Sequence, residues 1–131
     1  TSFKEELLNK EHDLDTDTFK IALYTSSATL DATTTAYSAT NEVSGTGYTA
    51  GGATLASAAI TTSGTTAFAD FADPSWTSSS FTANGALIYN SSASNKAVAV
   101  IAFGGDFTVT TGTFTIVFPA ADASNALIRI A

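Results

Sequence analysis

The chain has 131 residues, a net charge of −7 and no cysteine. That length suits one domain rather than two, and the composition rules out a disulfide framework, thiolate chemistry and Cys-ligated zinc. The five cations, Lys4, Lys10, Lys20, Lys96 and Arg129, form no cluster along the sequence, so neither nucleic acid nor an anionic membrane is an expected partner.

Charge is concentrated at the start. Nine of the seventeen charged residues lie in the first twenty positions. Ser2-Phe3-Lys4-Glu5 has the spacing of a capping box with Ser2 at the N-cap. Phe3, Leu7 and Leu8 share one face of a short helix predicted to end near Lys10. A helix this short is unstable alone and must dock, on the body or on another chain. Residues 1–17 are therefore expected to form an N-terminal docking helix or arm, and residues 18–131 a single β-domain. The opening residues carry no signal-peptide core, which predicts synthesis in the cytoplasm.

From Phe19 the pattern alternates. Phe19, Ile21 and Leu23 face one way, and Lys20, Ala22 and Tyr24 the other, as in a half-buried strand. Residues 26–41 read as a long loop around Leu30 and Tyr37. Strand-like runs follow at Val43–Thr49, Ala53–Thr61, Thr65–Phe71, Phe81–Tyr89, Lys96–Phe103, Phe107–Thr110, Thr113–Phe118 and Ala126–Ile130. Turn signals at Gly51-Gly52, Ser63-Gly64, Asp73-Pro74, residues 90–92, Gly104-Gly105, Gly112 and Pro119 separate them. This spacing predicts an all-β fold: an antiparallel, jelly-roll-like β-sandwich of about 7–9 short strands. No helical segment long enough for a parallel βαβ unit intervenes. The apolar last strand must be paired, inside the sheet or across a subunit boundary.

Candidate chemistry is sparse. Gly45-x-Gly47-x-x-Ala50, with Asp70 twenty residues on, has the spacing of a dinucleotide-binding loop, but Gly51-Gly52 and Thr-rich sequence stand where a helix should begin. The glycines read as bends on either side of Tyr48, and no cofactor is expected. Asp13-x-Asp15-x-Asp17 matches the first carboxylates of an EF-hand loop. It then places Thr18 at the obligatory glycine and Tyr24 at the bidentate glutamate. It reads as a solvated acidic turn and is the weak metal candidate of the chain. His12, the one histidine, has no G-x-S-x-G partner, so no catalytic residue is expected. Trp76 reads as a ring at the core or an interface, with stacking on a sugar as the lesser reading.

Six stretches together resemble a family of small virion structural proteins of tailed bacteriophages: SFKEELLN, TDTFKIALYTSSATL, YSATNEVSGTGYTAGG, FADPSW, ANGALIYN and FPAADASNALIRI. They span nearly the whole chain. The resemblance implies a non-enzymatic component of the virion surface. The first expectation is a capsid decoration or cement protein that binds the major capsid protein as a homo-oligomer, a trimer. The alternative is a tail or tail-fibre component that meets a host glycan through Trp76 and the loop at 26–41. Phe3, Leu7, Leu8, His12, Tyr48 and Trp76 are the residues expected at the shell or subunit interface.

Overall fold

The computed structural model describes residues 1–56 and 58–131. The alternation at Phe19 becomes strand β1 (Phe19–Tyr24), buried on both faces rather than one. Phe19, Ile21 and Leu23 enter the main core. On the opposite face, Ala22 and Tyr24 are covered by the 26–41 loop, whose Ala28, Leu30 and Tyr37 pack onto them. Loops of this length persist when they bring their own apolar anchors.

β1 pairs antiparallel with β2 (Ala53–Thr54) on one side. On the other it pairs with β5 (Ser75–Asn90), from Phe19 opposite Asn90 to Tyr24 opposite Gly85. β5 and β6 (Lys96–Thr115) form one long antiparallel hairpin. Its turn is made possible by Ser94 and Asn95 in the left-handed region, φ 53° and 59°. The sheet order is β2-β1-β5-β6. A second antiparallel sheet runs β3-β4-β7, from β3 (Ala59–Ser63), β4 (Thr66–Asp70) and β7 (Ile128–Ile130). Gly64 (φ +58°) and Thr65 turn the β3–β4 hairpin between the paired Ser63 and Thr66, as tight hairpins require. The core joins Phe19, Ile21, Leu23, Phe81 and Ile88 of the first sheet to Phe71, just past β4 of the second, and to Phe118, just past β6. The chain is thus an all-β, sandwich-like fold, with seven strands and one short helix among the described residues.

The strands are fewer and longer than the turn signals suggest. Lys96–Phe103, Phe107–Thr110 and the first half of Thr113–Phe118 fuse into β6, 20 residues long. The glycines between them mark irregularities inside the strand rather than chain reversals. Gly104 has φ +79°, and register shifts fall at Ala83/Gly85 and around Ser79, opposite Gly112. Glycine inside a strand commonly signals such a bulge. Thr111 takes φ 46° there, an unusual value for a β-branched residue, and its N–H is held by Ser80 Oγ at 2.9 Å.

Val43–Thr49 forms no regular strand. It touches β5 through one bridge, Thr46 to Ser80, because Gly45 and Gly47 lie directly on that backbone. A Cβ on Gly45 would stand 2.4 Å from the Ser80 carbonyl oxygen, and one on Gly47 2.6 Å from Ser79 Oγ. The expected strand Ala53–Thr61 includes Ser57, which lies outside the described residues; β2 and β3 occupy its two ends.

Candidate functional site

The charged N-terminal segment opens with helix α1 (Ser2–Leu8). Ser2 is already helical, Thr1 is the N-cap, and no side-chain cap hydrogen bond forms. The expected capping box is therefore corrected: with Ser2 inside the first turn, its hydroxyl is no longer at the position that caps. The helix stops in a Schellman arrangement. Lys10 adopts φ 63°, its N–H donates to the Leu7 carbonyl at 3.2 Å, and the Glu11 N–H reaches the Glu6 carbonyl at 2.9 Å. Phe3 and Leu7 are half-buried and, with Leu8, line a groove of about 420 Å³ against Val98 of β6 and Ile130 of β7. Leu8 is 88% exposed.

His12 is buried and joins this segment to the β5–β6 turn. Asn90 Oδ1 accepts from the N–H groups of Ser92 (2.9 Å) and Ala93 (3.1 Å), which fixes the amide orientation. Its Nδ2 must then donate, to Asp17 Oδ2 at 2.6 Å and to His12 Nδ1 at 3.0 Å. Because His12 Nδ1 accepts, Nε2 is the nitrogen that donates, to Glu6 Oε2 at 3.0 Å. The Phe3 ring lies over the imidazole, centroids 5.0 Å apart. Lys96 pairs with Glu11 and lies 3.8 Å from Glu6 Oε1. The Thr18 carbonyl accepts from the Ser91 N–H and hydroxyl, both at 2.9 Å.

The acidic run has its oxygens engaged locally. Asp13 Oδ1 accepts from the N–H groups of Asp15 (3.0 Å) and Thr16 (3.3 Å). Hydrogen bonds from the Thr16 side chain and the Asp15 backbone hold the Asp13 carboxyl below its usual range. Asp17 Oδ2 accepts from the Asp13 N–H at 2.9 Å as well as from Asn90. Asp13 and Asp17 thus close a turn on themselves, with Asp15 exposed between them. Among the described residues no three His, Cys, Asp or Glu side chains gather as a metal-holding group.

A second polar cluster was not expected. Glu42 Oε1 accepts from the Tyr48 hydroxyl (2.6 Å) and the Gly51 N–H (2.7 Å), and Oε2 from the Tyr37 hydroxyl (2.7 Å). Tyr48 in turn accepts the Leu23 N–H of β1 at 2.9 Å. The Tyr89 hydroxyl donates to the Gly51 carbonyl and that of Tyr24 to the Ser38 carbonyl, both at 2.7 Å. Tyr37 stacks on Tyr89, centroids 4.7 Å apart. All four tyrosines of the chain therefore converge on one loop. Burial pushes the Tyr24 hydroxyl up to about 12. Burial, reinforced by the Glu42 charge, also raises Tyr37, Tyr48 and Tyr89.

This cluster explains the glycines. Gly52 has φ +76°, and a Cβ on it would stand 1.8 Å from the Ile21 carbonyl oxygen. The segment lies flat on β1 and no helix follows it, so the spacing that mimics a dinucleotide loop serves backbone-to-backbone packing. Tyr48 is engaged within its own chain. Trp76 is 6% exposed and packs beside Tyr48 and Phe114, a core position rather than an open surface ring; stacking on a sugar was the lesser reading of it. Sequence reasoning missed Glu42 and Asn90. The available signal for Glu42 was its isolation: it is the one charged residue between Asp31 and Asp70.

No family model, curated protein or solved structure matches this chain.

Proposed function

We propose that the chain is a non-enzymatic structural protein of a tailed-bacteriophage particle, a capsid decoration or cement protein that binds and stabilises the head shell as a homo-oligomer. The observation that carries this reading is the use of its polar groups. In a catalytic site, ionisable side chains face a cleft where a reacting molecule can sit. Here the two richest polar clusters, around Glu42 and around His12–Asn90, are closed by internal hydrogen bonds. The stretches that carry the phage resemblance supply most of them: Glu6, Asp17, Tyr37, Glu42, Tyr48, Tyr89 and Asn90 all fall within those stretches, whereas His12, Glu11 and Lys96 lie outside them. Such residues hold loops and strand turns in place, which is what a small particle protein asks of them.

The N-terminal helix, with Leu8 exposed, is the proposed contact with the shell. The glycan-contacting tail alternative has lost its main support in the burial of Trp76.

Quantitative mass spectrometry of purified particles tests the proposal. Hundreds of copies per particle are expected. A dozen or fewer would transfer the protein to the tail, and none would overturn the reading. A deletion of residues 1–12 that still occupies expanded shells fully would remove the helix from the contact.

A further inference from the structure

β6 is the outer strand of its sheet. Its first residues are covered: the Ala97 N–H donates to the Thr35 carbonyl, Ala36 bridges Lys96, and α1 lies against Val98 and Ala99. Beyond Ile101, β5 is the only strand that pairs with β6 among the described residues. Here the chain opens an apolar cleft of about 280 Å³, lined by Ile101, Phe103, Phe107, Phe114, Ile116 and Val117. Phe107 is 54% and Val117 76% exposed, and Phe103 meets Phe107 edge to face at 6.0 Å. Natural edge strands are usually short, charged or covered. This one carries a single charge between Ala97 and Ala121, Asp106, and that carboxylate already accepts from Asn84 Nδ2 at 2.9 Å.

We infer that the Ile101–Val117 edge is a self-association face, occupied by a second copy of this chain. The inference deepens the structural-protein reading and rests on it. Two arguments select the occupant. The first is charge. A body of net charge −7 repels its own copies wherever its carboxylates lie, and this strip is nearly free of them. A strongly charged partner would find nothing here to pair with. The second is area. Fifteen strand residues run about 50 Å, and a strip about 10 Å wide along them offers roughly 500 Å² per copy. That sums to about the 1,000 Å² at which specific interfaces begin.

The test is oligomeric state in solution, read by analytical ultracentrifugation across the micromolar range. The wild-type chain is expected to sediment as a dimer or higher homo-oligomer. Phe107→Asp with Val117→Asp should give a monomer with the β-sheet circular dichroism intact. Ile60→Asp, on the edge of the other sheet, should leave the oligomer unchanged. Thr110→Lys, an exposed polar position on the same strip, should weaken association at least tenfold and serves if the double variant fails to fold. A monomeric wild-type chain would overturn the inference. So would an oligomer that survives both the double variant and Thr110→Lys. Copy number on particles is a separate measurement, so the self-association face and the particle location can fail independently; a monomeric chain would remove the homo-oligomer from both.

Discussion

Tyr48 and Glu42 share a 2.6 Å hydrogen bond while the same tyrosine oxygen takes the backbone N–H of Leu23 at 2.9 Å. One phenol thus ties the loop before β2 to the centre of β1. Glu42→Ala deprives two tyrosine hydroxyls and the Gly51 amide of their acceptor, and should lower stability by about 3 kcal/mol. Tyr48→Phe leaves the Leu23 N–H without its partner in a buried strand, and should cost about 2 kcal/mol. Urea denaturation checks both. A loss under about 0.5 kcal/mol for Glu42→Ala, the range of ordinary surface changes, would mean the cluster is not structural.

Alkaline pH should unfold the protein through the same tyrosines. A hydroxyl whose folded pKa is raised binds its proton more tightly in the native chain. The stability it contributes is present below its ordinary value near 10 and is lost as pH climbs through the folded value. For Tyr24 that window runs from 10.0 to about 12, and Tyr37, Tyr48 and Tyr89 shift the same way. The melting temperature should fall steeply above about pH 10. Phenolate absorbance should rise together with loss of structure; a rise that precedes unfolding for all four tyrosines would refute the assignment.

Glycine substitutions should separate close approach from mere backbone angle. Gly52→Ala drives a methyl into the Ile21 carbonyl, and should cost roughly 4 kcal/mol or prevent folding. Gly64→Ala also carries a positive φ, but nothing lies within 4 Å of its new carbon, so about 1 kcal/mol is expected. Equal effects in thermal melts would contradict the packing described here.

Asn90→Asp replaces a donor by an acceptor facing both Asp17 Oδ2 and His12 Nδ1. The two hydrogen bonds at 2.6 and 3.0 Å are lost and like charges meet, for about 3 kcal/mol of destabilisation. Amide exchange should quicken in residues 1–17 before it does in β1. Unchanged protection of that segment would show that Asn90 does not hold it.

The legible part of this chain was its local periodicity. Phe19, Ile21 and Leu23 announce a strand because alternation is a property of neighbouring residues, and the all-β class follows from many such runs. The strand boundaries, rather than the number of strands, were misplaced at Gly104-Gly105 and Gly112. A glycine that breaks a chain and one that bends a strand look alike until the partner strand is known. The capping box failed by one residue, since helix starts depend on which hydroxyl lies outside the first turn. The Glu42 and Asn90 clusters were illegible for a deeper reason. Their members come from Leu23, Tyr37, Tyr48 and Tyr89, or from His12 and Asn90, and no sequence window contains them together.

The pairing of His12 with Asn90 spans 78 positions, and this separation sets an order of events during synthesis. At about 5–20 residues per second, Asn90 is made roughly 4–16 s after His12, given that spacing. Through that interval Phe3 and Leu7 have no sheet to dock on, because Val98 and Ile130 are later still. A segment made before the β5–β6 hairpin is therefore secured only after that hairpin exists. A nascent chain of this protein carries an undocked apolar helix until its long hairpin has closed.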